Sequence, residues 1–92
     1  MRSVTGDSAY TEFGYVTVAV TFSGARIVDV VAIELPSEHS RSVSINQRAA
    51  PILRERALAA QSAQIDTVSG ATYTSEGYRE SLQSALDKAA SG

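Results

Sequence analysis

Apolar residues recur along this chain in two different periods, and the change from one to the other divides it. In GYVTVAVTF, residues 14–22, Val16, Val18, Val20 and Phe22 occupy alternate positions, with Tyr15, Thr17, Ala19 and Thr21 between them. A period of two in β-branched residues predicts a strand with one buried face. SGA, residues 23–25, supplies a turn whose glycine is free to take positive φ. RIVDVVAIEL, residues 26–35, follows as a second strand, apolar on both sides apart from Asp29 and Glu34. Strand, short glycine turn and strand together predict an antiparallel hairpin.

Beyond Pro36 the period lengthens. From Val43 to about Ala60, Ile45, Ala49, Ile52, Leu53, Ala57 and Ala60 recur at helical spacing. Pro51 interrupts this pattern, because in mid-helix it removes a donor and clashes with the preceding turn at a cost of roughly 3 kcal/mol. Two arrangements satisfy it: a helix kinked at that point, or a short first piece followed by a second with Pro51 in its first turn. QSAQIDTVSGA, residues 61–71, is a polar connection around Ile65 and Val68. In the last helix Tyr78, Leu82, Ala85, Leu86 and Ala89 form the apolar stripe, opposite Arg79, Glu80, Gln83, Asp87 and Lys88. Thr74 or Ser75 is the natural N-cap, and Glu76 sits where the helix dipole favours a carboxylate. Residues 1–12 are polar and aperiodic and read as a flexible lead-in to a domain over 13–92, with at most a short pairing segment near their end. The predicted fold is α+β: a small antiparallel sheet built on a β-hairpin core, with two to three packed helices.

Composition narrows the function by exclusion. A chain of 92 residues suits a single domain. With 8 Lys and Arg against 10 Asp and Glu, the net charge of −2 argues against a nucleic-acid partner. No apolar run reaches membrane-spanning length. The lack of cysteine excludes disulfides, thiolate catalysis and thiolate metal sites. MRSVTGDSAY has no apolar segment of the kind a signal peptide needs, which leaves either a cytoplasmic protein or one whose export segment lies outside this sequence. His39, the single histidine, reads as a solvated loop residue. A Ser69–His39–Asp66 triad can be written, but no nucleophile-elbow pattern supports it.

The candidate chemistry lies in DTVSGATYTS, residues 66–75. Ser69, Thr72 and Thr74 surround a Gly70–Ala71 turn, with Asp66 upstream and a helix beginning just afterwards. Helix capping accounts for Thr74 and Ser75 but gives no reason for Ser69 and Thr72 to flank the turn. A loop of small residues running into a helix N-terminus presents amide groups to an anion, and phosphate is the natural guest. The Gly-Lys-Ser/Thr ending of a P-loop and the three glycines of a dinucleotide fingerprint are both missing, so ATP and NAD are poor candidates. A hydroxyl on such a turn is also a point for covalent attachment to a phosphate group.

Asp66-Thr67-Val68-Ser69-Gly70-Ala71-Thr72 resembles the D-x-x-S/T-G-A/S-T motif of the FMN-binding domain family. That family includes the flavin-carrying subunits of sodium-translocating NADH:quinone reductase and Rnf-type complexes, and many small stand-alone domains. The resemblance extends over roughly residues 13 to 90 and is to the stand-alone members. It implies FMN joined through its phosphate to the hydroxyl of Thr72 by a separate Mg-dependent flavin transferase that uses FAD as donor.

In that frame Asp66 matches the motif's acidic residue, serving transferase recognition or holding the turn. Gly70 and Ala71 leave room for transferase and phosphate, and Ser69 bonds the phosphate or braces the turn. Tyr73 stacks on the flavin ring or packs against the fold, and Thr74 and Ser75 complete the cofactor-binding set. Tyr10, Phe13 and Tyr15 line the flavin site or cover the sheet. Arg41 and Arg48 meet the phosphate or are surface charge, Asn46 and Gln47 are candidate partners for the ring's polar edge, and Tyr78 belongs to the core. The implied function is an electron carrier more than a complete enzyme, supplied by a membrane or soluble reductase. Its expected home is extracytoplasmic or membrane-attached, with a cytoplasmic one left open. The alternative is a module that binds FMN or another phosphate ligand reversibly, without a redox role.

Overall fold

A computed structural model of the protein describes residues 1–36 and 40–91. The elements run β1 (Arg2–Thr5), β2 (Ala9–Thr11), β3 (Gly14–Ser23), β4 (Arg26–Glu34), α1 (Ser40–Ala60) and α2 (Thr72–Ser91). The α+β architecture is the expected one, with two helices among the described residues. β3 is the spine of the sheet, with β4 antiparallel along one side and β1 and β2 each antiparallel to it as well. The predicted hairpin of residues 14–35 is the β3–β4 pair, closed at Gly24 with φ 61°.

In the N-terminal segment β2 is the short pairing segment expected near its end, whereas β1 departs from the expected loose lead-in. These strands are too short to show a period, yet both pair with β3. Between them the register slips: the four steps from Thr5 to Ala9 face the three from Val16 to Ala19. Side chains and loop amides close this bulge. Gly6 donates its amide to the Val18 carbonyl at 2.8 Å, and Ser81 of α2 accepts the Val18 amide at 2.8 Å. Ser84 accepts the Asp7 amide at 2.9 Å, and Lys88 bonds the Asp7 carboxylate at 2.8 Å. That contact holds the Asp7 carboxyl below its ordinary range. The amides of Gly6, Asp7 and Val18 are thus satisfied at the bulge.

Both helices pack on one face of the sheet. Val16, Val18 and Val20 of β3 and Ile27 and Val30 of β4 meet Ala49, Leu53 and Ala57 of α1 and Tyr78, Leu82 and Ala85 of α2. The helical stripes read from the sequence are therefore the core faces, with Ile45, Ile52 and Leu86 at the margin, except that Ala60 is exposed and Ala89, half-buried, lies outside the cluster. Burying each large apolar side chain contributes about 1.5–3 kcal/mol before entropy is counted. α2 approaches closely because it carries Gly77, where a Cβ would lie 2.8 Å from Thr11 Cγ2 and 3.0 Å from Val16 Cγ2. The opposite face of the sheet exposes Tyr10, Tyr15, Val31 and Ile33.

α1 runs as one helix through Pro51, so the two-piece arrangement does not occur. Pro51 is exposed, and water can reach the Gln47 carbonyl that loses its helical donor. At the far end Gln61 takes φ 54° and ties the helix to the outer edge of β4. Its side-chain oxygen accepts the Ile27 amide, and its amide nitrogen donates to the Ile27 and Leu58 carbonyls, all within 2.9 Å. This occupies backbone groups that would otherwise offer an edge for another strand.

The candidate FMN site

The hydroxyl-rich segment joins the two helices. Val68 to Ala71 form a turn in which Ala71 donates its amide to the Val68 carbonyl at 2.9 Å. Gly70, at the third position, has φ 82°, the value a type II turn requires and one that favours glycine. A Cβ at Gly70 would meet only Nη2 of Arg48, at 3.3 Å, so the turn's outer surface is otherwise open.

α2 starts directly from this turn. Its first residue is Thr72, and Ser75 donates its amide to the Ala71 carbonyl at 2.9 Å, which makes Ala71 the N-cap. Alanine has no side chain with which to cap. The expectation that Thr74 or Ser75 caps the helix is therefore corrected: both are buried inside its first turn. Ser75 accepts the Val68 amide at 2.9 Å and donates its hydroxyl to the Ala71 carbonyl at 2.7 Å. Thr74 donates to Asn46 Oδ1 at 2.7 Å, and Asn46 in turn donates to the Pro36 carbonyl at 2.7 Å. These hydroxyls are the frame of the turn, and the Asn46 side chain is spent bracing it instead of facing a flavin ring.

What remains unpaired is the helix end itself. The amides of Thr72, Tyr73 and Thr74 have no acceptor among the described residues. They carry the partial positive charge of a 20-residue helix. Thr72 is exposed beside them, as are Ser69 and the carboxylate residue Asp66, while Ala71 is buried under the turn. An exposed hydroxyl at the first position, three consecutive free amides and a left-handed glycine form an anion cradle suited to a phosphate.

Two arginines of α1 hold the segment. Arg56 Nη1 donates to the Asp66 and Thr67 carbonyls at 3.0 and 3.1 Å. Arg48 Nη2 donates to the Ser69 carbonyl at 3.3 Å. Arg48 was a candidate on the sequence; Arg56 carries no local signal, since only the fold brings it to the turn. Gln47 is exposed. His39 lies outside the described residues, as does the side chain of Arg41.

Aromatic surface adjoins the cradle. Tyr73, 51% exposed, meets Phe13 edge to face at 5.5 Å, and Tyr10 meets Tyr15 in the same manner at 5.4 Å. A cleft of about 190 Å³ between β2 and α2 is lined by Tyr10, Glu12, Tyr73 and Glu76, among others. Tyr78 is core, as expected, 1% exposed. No cluster of His, Asp or Glu among the described residues is arranged to hold a metal, and no helix there is long and apolar enough to cross a membrane.

A small α+β domain that presents an uncapped helix end and an exposed threonine beside aromatic rings offers a phosphate-bearing ligand a place to bind. Residues 13–87 match the family model of the FMN-binding domain, and the chain belongs to that family. Its cofactor is FMN. No curated protein matches the chain in a sequence search.

Proposed function

We propose that FMN is attached covalently through its phosphate to Thr72 Oγ1 and that the loaded domain carries electrons between a reductase and an acceptor. The observation that supports this best is the uncapped start of α2: three free amides surround an exposed hydroxyl, while neighbouring hydroxyls are committed to the interior. In the attachment step the Thr72 oxygen forms a bond to the FMN phosphorus of FAD and the P–O–P linkage breaks. AMP leaves, and the hydroxyl proton passes to solvent by way of the flavin transferase, a separate Mg-dependent enzyme.

The bound flavin supplies one- and two-electron redox chemistry. The protein's part is to anchor and screen. The amides of residues 72–74 and the helix dipole offset the phosphate charge. Gly70, lacking a Cβ, admits it, and Tyr73 with Phe13 offers an aromatic surface for a planar ring. A tether keeps the carrier loaded where no free FMN pool exists, which suits an extracytoplasmic or membrane-attached setting. Asp66, whose side chain has no partner among the described residues, is free for recognition by the transferase.

The test is intact mass after co-expression with a flavin transferase, on wild type and on Thr72→Ala. Wild type gains one FMN less one water and Thr72→Ala gains nothing. If the transferase loads a control substrate but not this protein, covalent attachment is refuted, and the reading reverts to reversible binding of FMN or another phosphate ligand.

A further inference from the structure

The arginines of α1 that flank the turn and the sheet are not used alike. Arg54 is paired with Asp29 at 2.9 Å, and Arg56 is held by two carbonyls of the turn. Arg48 has a single hydrogen bond, to the Ser69 carbonyl at 3.3 Å, and no carboxylate partner among the described residues. Yet Asp66 stands in the same segment and does not pair with it. The guanidinium instead lies beside Gly70, with Nη2 3.3 Å from where a Cβ would stand, in the turn that leads into the free amides.

A guanidinium has five donors in a planar fork and suits phosphate oxygens in particular. One long bond to a carbonyl leaves most of them unspent. We infer that Arg48 is a positioning residue for the flavin phosphate: it completes from α1 the cradle whose other wall is the N-terminus of α2. The inference rests on the reading just given, that the phosphate is held at Thr72. It assigns the cradle's preference for a phosphorylated flavin over riboflavin to a residue outside the sequence motif. It also explains why Gly70 must stay bare on that side, because a side chain there would displace the fork.

The experiment uses wild type, Arg48→Gln, Arg48→Lys and, as a control for turn bracing, Arg56→Gln. The apo proteins are titrated with FMN and with riboflavin while the amide resonances of residues 72–74 are followed by NMR. The initial rate of covalent loading by transferase and FAD is read separately from intact mass. Hydrogen bonds to a charged group on an exposed surface support an expected tenfold or so loss. Arg48→Gln is expected to bind FMN about tenfold more weakly and to load about tenfold more slowly, with riboflavin binding unchanged. Arg48→Lys recovers part of both, and Arg56→Gln keeps the FMN-over-riboflavin preference.

If Arg48→Gln keeps the wild-type preference and loading rate, the inference is wrong, although the attachment at Thr72 stands. Loss of FMN and riboflavin binding together would make Arg48 a brace only, and likewise overturns it. Should reversible binding be too weak to titrate, the loading rate alone decides. A wild type that neither binds nor loads would remove the functional reading and this inference with it.

Discussion

Tyr78→Phe tests the packing beneath the site. The Tyr78 side chain is 1% exposed, and its hydroxyl has no hydrogen-bond partner among the described residues. A buried hydroxyl left unpaired costs about 1–3 kcal/mol in desolvation. Phenylalanine keeps the ring and its contacts, and the oxygen-sized void it leaves costs only a few tenths of a kcal/mol. The variant is therefore expected to be more stable than wild type by about 1 kcal/mol at pH 7, a rise in Tm of roughly 5 °C for a domain of this size. Urea titration followed by circular dichroism measures it.

The same hydroxyl gives a pH signature. Burial pushes the Tyr78 phenol from its ordinary 10.0 up to about 12, with nearby Arg54 opposing the rise and Asp29 adding to it. Because the folded value is raised, both states are protonated below pH 10 and this group adds no pH dependence there. Between pH 10 and 12 the unfolded chain ionises while the fold does not, so stability falls by roughly 1 kcal/mol per pH unit. The phenylalanine variant has nothing to ionise at this position, and the exposed tyrosines are common to both proteins and cancel. The advantage of the variant should therefore widen from pH 10 to 12. A variant less stable than wild type by about 1 kcal/mol at pH 7 would show that the hydroxyl is well bonded, and parallel pH curves would show that it is not secluded.

Two further perturbations examine the frame. Ser75→Ala strands the buried Val68 amide and is expected to cost about 2 kcal/mol in urea unfolding, with slower flavin loading by intact mass as the turn loosens; a loss below about 0.5 kcal/mol would contradict the bracing role. Gln61→Ala and Gln61→Gly both remove the clamp on Ile27, but only alanine suffers at φ 54°, so the glycine variant should be the more stable of the two by about 1 kcal/mol in the same assay.

The parts legible in the sequence were those whose cause is local. A ten-residue strand of alternating valines and a 20-residue helix with one apolar stripe declare themselves, because each buries one continuous face. β1 and β2 do not, since four and three residues are too few for a period and their pairing is fixed by β3. The seven-residue motif was legible as a string and its family followed from it. Its mechanics were misjudged at Thr74 and Ser75, because cap chemistry is a local rule and tertiary packing overrode it. Ser75 could bridge Val68 and Ala71 only once the turn had formed, and Thr74 needed Asn46, 28 residues away. Arg56 and Arg48 reach the turn across 10 to 21 residues, with no signal in the motif itself.

That misjudgement bears on which hydroxyl the proposed attachment would use. Five serine and threonine residues lie in the stretch from Asp66 to Ser75. Thr74 and Ser75 are buried and spend their hydroxyls on the interior, and Thr67 is half-buried. Ser69 is exposed, but it precedes the turn, three residues short of the helix. The dipole's influence is confined to the terminal turn of a helix, so an anion at Ser69 gains little from it. Thr72 alone combines exposure with the first helical position, adjacent to all three unpaired amides. On the attachment proposed above, selection of Thr72 among these five side chains needs no special reactivity of its hydroxyl. It follows from the others being bonded inward or standing outside the field, and from an alanine at the N-cap that leaves the helix end open for a phosphate to fill.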